Sequence, residues 1–292
     1  MKFMKLRIIT IILCLVALTA CQDDFDELTD SRLRRITFTI NTVHLFDDIL
    51  VGQQGDFRLG APAVLDGDHR LRVCAYCYDS NGSLLQHKTQ LFEDMTSPKQ
   101  TVFSHLDKDM DYRFTFLADV VKHDPYVDYY ETWYQMETRS LKDFYLFSDS
   151  RHEEPQDDVV HTAMLTAKPA NQSIDVELEP LTYNGYCVLT NTNKSDRLLG
   201  YAGYVNAFRL ASRSWWRRAS VAYEFNYYQP TASTITMPLN LCYADSVVYL
   251  KVKSTTLTGS DSILVDIPNT ERRPFVVTVD CETMTLKDQV FY

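Results

Sequence analysis

Side chains that alternate with a period of two constrain this chain more than any other feature. Ile36, Phe38 and Ile40 alternate with Thr37, Thr39 and Asn41. The same pattern runs through residues 71–78, 112–119, 174–179, 248–253 and 275–281. Successive side chains of a strand point to opposite faces, so each run reads as a half-buried strand. No stretch holds a 3.6-residue period with good caps, and only residues 140–147 admit a short helix. Asn81-Gly82 separates a strand ending near Tyr78 from one starting near Leu84. That dipeptide reaches positive φ cheaply and predicts a type I′ hairpin. Asp66-Gly67 and Asn184-Gly185 are weaker marks of the same kind. With 18 tyrosines and only 9 glycines and 10 prolines, the chain reads as all-β, built of β-sandwiches.

The run from Ser148 to Asp158 is polar, charged and broken by Pro155. It divides two strand-rich blocks, 35–150 and 158–292, which predicts two tandem sandwich domains. Read otherwise, it is a long hairpin loop inside one larger body. No internal repeat shows at a fixed period. A hydrophobic content of 45% against 23% charged residues is that of a globular protein.

The first residues carry an address. Lys2, Lys5 and Arg7 precede an apolar stretch, 8–18, that ends in Leu18-Thr19-Ala20-Cys21. A basic segment, a short apolar segment and small residues before a cut make a secretory signal, 1–20. A membrane span needs about 20 apolar residues, more than this stretch holds. The Leu-x-x-Cys ending resembles the lipobox of bacterial lipoproteins. The resemblance implies that Cys21 becomes the first mature residue and carries diacylglycerol on its sulfur. Residues 21–34 would then be an acylated tether. Gln22 to Glu27 include Asp23, Asp24 and Asp26, and this acidic run resembles the surface-export signal of Bacteroidota lipoproteins. Read otherwise, it is a solvated acidic tether. The expected location is the outer membrane, facing outward.

Losing the leader removes three cations and no acids, so the formal charge goes from −10 to −13. Such a surface repels phosphate backbones, and nucleic acid is not expected as a partner. Beyond Cys21 the mature chain keeps Cys74, Cys77, Cys187, Cys242 and Cys281, an odd number. Cys74 and Cys77 have the CxxC spacing of zinc and redox sites. On a strand, however, positions three apart face opposite sides, and one metal ion could not hold both.

No catalytic site, cofactor or metal is expected. Asp107, Asp109 and Asp111 imitate a calcium loop, but Tyr112 and Ala118 stand where Gly and Glu are required. They read as a polar turn feeding the next strand. The seven histidines are scattered, with no HExxH pair, and G-x-S-x-G is absent. The carboxylates Glu153-Glu154 and Asp157-Asp158 lie in the expected linker, where solvent would leave them unsuited to acid–base work. The chain therefore reads as a non-enzyme. Tyr126, Tyr129, Tyr130, Trp133 and Tyr134 form one aromatic group. Trp215 and Trp216 form another, beside Arg213, Arg217 and Arg218. Such rings serve as core or as contacts. Trp215, Trp216, Arg217 and Arg218 are the candidate contact patch for an acidic partner.

Several motifs in order resemble the anchor and accessory lipoproteins of Bacteroidota type V fimbriae. They are the lipobox with its acidic tether, then Leu71-Arg72-Val73 running through Tyr76 and Tyr78 into Asp79-Ser80-Asn81-Gly82-Ser83-Leu84. Phe103-Ser104-His105-Leu106, a turn, then Tyr112-Arg113-Phe114 and Ala118 follow, and later the strand 174–178 with Gly185-Tyr186-Cys187-Val188. The resemblance implies two transthyretin-like, or Ig-like, sandwiches and a role in anchoring or assembling fimbriae. Fimbrial subunits would be partners through β-strand complementation, in which a neighbour supplies a missing strand. No donor strand is identified, although Gln289-Val290-Phe291-Tyr292 is a short apolar end. Arg34-Arg35 reads as a basic pair before a strand or, as in fimbrial shaft proteins, a processing site. The competing function is a glycan-binding surface lipoprotein of a polysaccharide-uptake system. It requires an exposed aromatic platform containing Trp133, Trp215 or Trp216.

Overall fold

The computed structural model describes residues 31–292 apart from 46, 48–49, 54–55, 60–67, 125–128, 132–133, 144, 149–159, 203–206, 210–213, 217–222, 243–247 and 268–272. In chain order the first strands are β1 (Leu33–Ile40), β2 (Leu50–Gln53), β3 (Asp56–Leu59), β4 (His69–Tyr78), β5 (Leu84–Phe92), β6 (Lys99–Asp107) and β7 (Tyr112–Asp124). There follow β8 (Tyr129–Glu131), β9 (Tyr134–Glu137), β10 (Tyr145–Ser148), β11 (His161–Ala167), β12 (Gln172–Val176) and β13 (Glu179–Pro180). The rest are β14 (Thr182–Thr190), β15 (Arg197–Ala202), β16 (Ala207–Arg209), β17 (Ser214–Trp216), β18 (Tyr223–Tyr228), β19 (Thr234–Cys242), β20 (Val248–Thr256), β21 (Gly259–Ile267), β22 (Phe275–Asp280) and β23 (Thr285–Phe291).

The first sandwich faces sheet β12-β1-β6 against sheet β13-β11-β7-β4-β5. Alternate residues of both sheets fill its core: Ile36, Phe38 and Ile40 from β1, Leu71, Val73, Ala75 and Cys77 from β4, and Phe114, Phe116 and Ala118 from β7. Phe38 lies 4.6 Å from Phe114 and 4.9 Å from Phe116, centroid to centroid. The second sandwich faces β19-β14-β22-β23 against β18-β15-β20-β21. Cys187, Leu189, Leu250, Val252, Phe275, Val277 and Val279 lie in its core.

The two sandwiches repeat one topology that no sequence period announces. Count β1, β4, β5, β6, β7, β11 and β12 as strands one to seven, and likewise β14, β15, β18, β19, β20, β21 and β22. In both, strand seven lies beside strand one, strand four lies on the other side of strand one, and the facing sheet runs six, five, two, three. In both, the first and seventh strands pair in parallel. This is the transthyretin-like arrangement.

Hydrogen bonding moves the expected division of the chain. Residues 149–159 lie outside the described part. Beyond them, β11 pairs with β7 and β12 pairs with β1, so residues 161–180 complete the first sandwich rather than opening the second. The reason is non-local: Ile36 meets Gln172, and Leu165 meets Phe114. A composition break does not reveal which sheet the next strand joins. A further sheet, β17-β16-β10-β9, joins hairpins from the two halves of the chain.

Three local expectations are also corrected. The short helix at 140–147 is a 3-10 turn, Leu141–Asp143, followed by β10. Between β4 and β5 only Gly82 has positive φ, at 84°, and Gly82 N–H donates to the Asp79 carbonyl at 3.0 Å. Ser83 N–H donates to the Asp79 carboxylate at 2.8 Å. That is a wider turn with a left-handed glycine, not type I′, which needs two positive φ values. Asn184-Gly185 lies inside β14 instead of a turn. A Cβ at Gly185 would stand 2.5 Å from the Phe275 ring, so glycine there admits a core phenylalanine.

Candidate functional site

One long edge of the first sandwich is open among the described residues. β12 ends its sheet, and β11 ends the ladder of the facing sheet except where His161 and Thr162 pair with β13. The seam between β11 and β12 is therefore crossed at one end by Glu179–Pro180. Along the rest of it, Ala163, Leu165 and Ala167 of β11 pack against the core while half-buried. Ile174 of β12 and Leu178 beyond it do the same. An unpaired strand edge with partly exposed apolar side chains is a template for another strand.

In the second sandwich the same edge is taken. β23 pairs antiparallel with β22, strand seven, from Asp280–Thr285 to Phe275–Phe291. It also reaches strand six, where Gln289 Nε2 donates to the Asp266 carbonyl at 3.4 Å. Phe291 packs against the core, 6.3 Å from Phe275. Here Val265, Ile267, Phe275, Val277 and Val279 are buried, and Ile263 is half-buried against the core.

Charge gives the open edge a character. Asp175, Glu177 and Glu179 are exposed along and just beyond β12, while Ile174, Val176 and Leu178 turn inward. Asn41 Nδ2 donates to Glu177 at 3.1 and 3.2 Å. At the other end Asn171, with φ 51°, accepts a hydrogen bond from Arg35 N–H at 3.0 Å and donates its own N–H to the Arg35 carbonyl at 2.9 Å. The edge is thus pinned at both ends to β1, acidic outside and apolar inside.

The expected residues fall as follows. Cys21 lies outside the described residues, as do Trp133, Arg217 and Arg218. Trp215 and Trp216 are in β17, in register with Phe208 and Ala207 of β16. Arg34 and Arg35 open β1 as a basic pair within a strand. Gln289, Val290 and Phe291 are engaged in β23, so that apolar end is held within the chain's own sandwich. Cys77 is in the core, and Cys74 lies in the cluster on the opposite face of the sheet with Tyr76, Tyr78 and Leu117. Burial pushes the Cys77 thiol up to about 12. Asp107 heads a turn in which its carboxylate accepts Asp109 N–H at 2.9 Å. On the outer face of β4 and β7, Arg72 holds buried Asp119 through two hydrogen bonds of 2.9 and 2.5 Å. Buried His161 is kept neutral down to about 4. Each of these groups is spent on packing and orientation within the sheets. Among the described side chains, Tyr228 is the aromatic ring that stands largely in solvent, with the Arg197 guanidinium 4.8 Å above it.

The seam itself went unread in the sequence. Its signals are alternations, Ala163, Leu165 and Ala167 against Met164 and Thr166, and Ile174, Val176 and Leu178 against Asp175, Glu177 and Glu179. That pattern says strand but does not say edge.

No protein-family model and no curated protein matches the chain. Solved structures do. The fimbrial anchor protein Mfa2 of Porphyromonas gingivalis superposes with a TM-score of 0.50 at 12% identity, over 87% of this chain and 94% of that one. A Bacteroides thetaiotaomicron protein of the DUF1812 group, named as a candidate polysaccharide binder, gives 0.52 at 11% identity, over 88% and 95%. At such identities the shared property is the fold.

Proposed function

We propose that this chain is a surface anchor or accessory subunit of fimbriae that takes a strand from a neighbouring subunit along β12. The fold shared with Mfa2 supports the fimbrial setting, and the leader ending in Cys21 supports a diacylglycerol anchor in the outer membrane. One observation carries the reading: among the described residues, the seventh strand of the first sandwich has a bare edge where its twin in the second has β23. A strand that finished burying Leu165, Ile174 and Leu178 would gain about 1 kcal/mol from each, before any backbone hydrogen bonds. The acidic strip at Asp175, Glu177 and Glu179 favours an incoming strand with basic outward residues.

Trp215, Trp216, Arg217 and Arg218 are proposed as a second contact, on the reasoning that β17 is itself an outer strand of its sheet. The glycan-binding reading draws on the name of the Bacteroides thetaiotaomicron neighbour. It needs several coplanar exposed rings; among the described side chains Tyr228 is the one that stands largely in solvent, and Trp133 lies outside the described residues.

The test is binding of fimbrial subunits from the same bacterium to the purified chain. Asp175→Lys should weaken binding about tenfold while stability changes by less than about 0.5 kcal/mol. Unchanged binding would remove β12 as the site. Separately, intact-mass measurement of the protein from its native membrane should show the added acyl mass on Cys21. An unmodified polypeptide would remove the anchor.

A further inference from the structure

β23 is an appended strand on a sandwich whose seven-strand twin stands without one among the described residues. Its own side chains embed it shallowly. Thr285 to Asp288 are exposed, Leu286 by 42%, and Val290 by 37%. Phe291 packs against the core while only half-buried. Its far end, paired with β22 through Phe291 and Val290, also meets residues from the other half of the chain.

The β2–β3 hairpin, inserted between β1 and β4, lies on the outer face of the sheet that β23 extends. Leu50 is fully buried there with Tyr186, Val188 and Val276. Phe57 sits 4.7 Å from the Tyr186 ring. Tyr292, the residue after β23, packs into the same cluster, and its N–H donates to the Pro274 carbonyl at 2.9 Å. The near end is fixed by a different device. Asp280 accepts hydrogen bonds from Asn191 Nδ2, from Glu282 and Thr283 N–H, and from Lys287 Nζ at 2.7 Å.

We infer that the β2–β3 hairpin is a latch on β23. With the latch closed, β23 stays on β22 and cannot serve as a strand for a neighbour. The consequence rests on the strand-acceptor reading above: the chain receives a strand at β12 and gives none, so assembly through it runs in one direction. With the latch open, the second sandwich has the same bare seventh-strand edge as the first. The partner that β23 would then suit is the β12 edge of a second copy, since it already pairs with the topologically equivalent strand.

Amide hydrogen exchange on the full chain tests this. Phe57→Ala should speed exchange across residues 285–291 at least tenfold and leave residues 250–254 of β20 unchanged. On standing, it should also give linked oligomers that the parent chain does not form. A second variant guards against simple misfolding: Leu50→Ala removes the hairpin's buried anchor, and it should speed exchange in 285–291 likewise while the β20 amides keep the parent rate. Rates in 285–291 that ignore both substitutions overturn the latch. That outcome leaves strand binding at β12 untouched, and loss of β12 binding leaves the latch untouched.

Discussion

The first and second sandwiches hold the same seven strands in the same order, yet they differ at one edge. In the second, β23 covers strand seven, and Phe275, Val277 and Val279 are fully buried beneath it. In the first, strand seven ends the sheet, and Ile174 and Leu178 are left half in solvent. Fold alone therefore does not decide which edge is sealed. A soluble protein hides an exposed strand edge by covering it, charging it or shortening it. β23 is the covering solution. Asp175, Glu177 and Glu179 are the charging solution, which keeps an edge soluble and still leaves its backbone groups available.

If β12 is the place of exchange, β1 beside it must be permanent. Phe38 stands against Phe103, Phe114 and Phe116 at the centre of the first core. Phe38→Ala should cost about 3–5 kcal/mol in urea unfolding. A cost below about 1 kcal/mol would mean that β1 is the replaceable strand and that β12 is not the relevant edge.

Acid should separate the two sandwiches next. Burial lowers the His161 pKa to about 4. Below the ordinary histidine value the unfolded chain takes up a proton that the folded one refuses. Stability of the first sandwich should thus fall by about 3 kcal/mol as pH drops from 7 to 4, and level off below that. His161→Gln should flatten this dependence in a pH series of urea midpoints. An identical slope in the variant would assign the acid sensitivity elsewhere.

The smallest effect belongs to the β22–β23 turn. Hydrogen bonding from Lys287, then Asn191 and the backbone of Thr283 and Glu282, holds the Asp280 carboxyl well below the usual range. Its folded pKa is depressed, so its contribution is present at neutral pH and fades as pH falls below about 4. Asp280→Asn should cost about 1 kcal/mol near pH 7, discounted because Lys287 is half-exposed. Parent and variant should converge in acid. A difference that persists at low pH would mean that turn geometry, not charge, retains β23.

Much of the fold was legible, because a period of two is local. β1, β7, β12, β20 and β22 all announce themselves by alternation, and Cys74 and Cys77 fall on opposite faces as the same rule requires. The pairing was not legible. Ile36 meets Gln172 across the whole first half of the chain, and the parallel partner of β14 is β22. Hydrogen-bonded ladders carry no side-chain signature of their partner. For the same reason the boundary was drawn at the polar run near 148–158, ahead of the two strands that complete the first sandwich. The candidate site was hidden more deeply. A strand at an edge and one in the interior share the same alternation, and what distinguishes β12 from β22 is the absence of a neighbour among the described residues. The β2–β3 hairpin offered only Leu50 and Phe57 as signs that it packs on a distant sheet.

Amide exchange measured strand by strand on the free chain tests the central claim most directly. The β12 amides of residues 172–176 that do not face β1 should exchange at least a hundredfold faster than the amides of β22, and should slow to match them when a fimbrial subunit is added. Equal, slow exchange in β12 and β22 of the free chain would show that the first sandwich is already sealed, and would contradict the account.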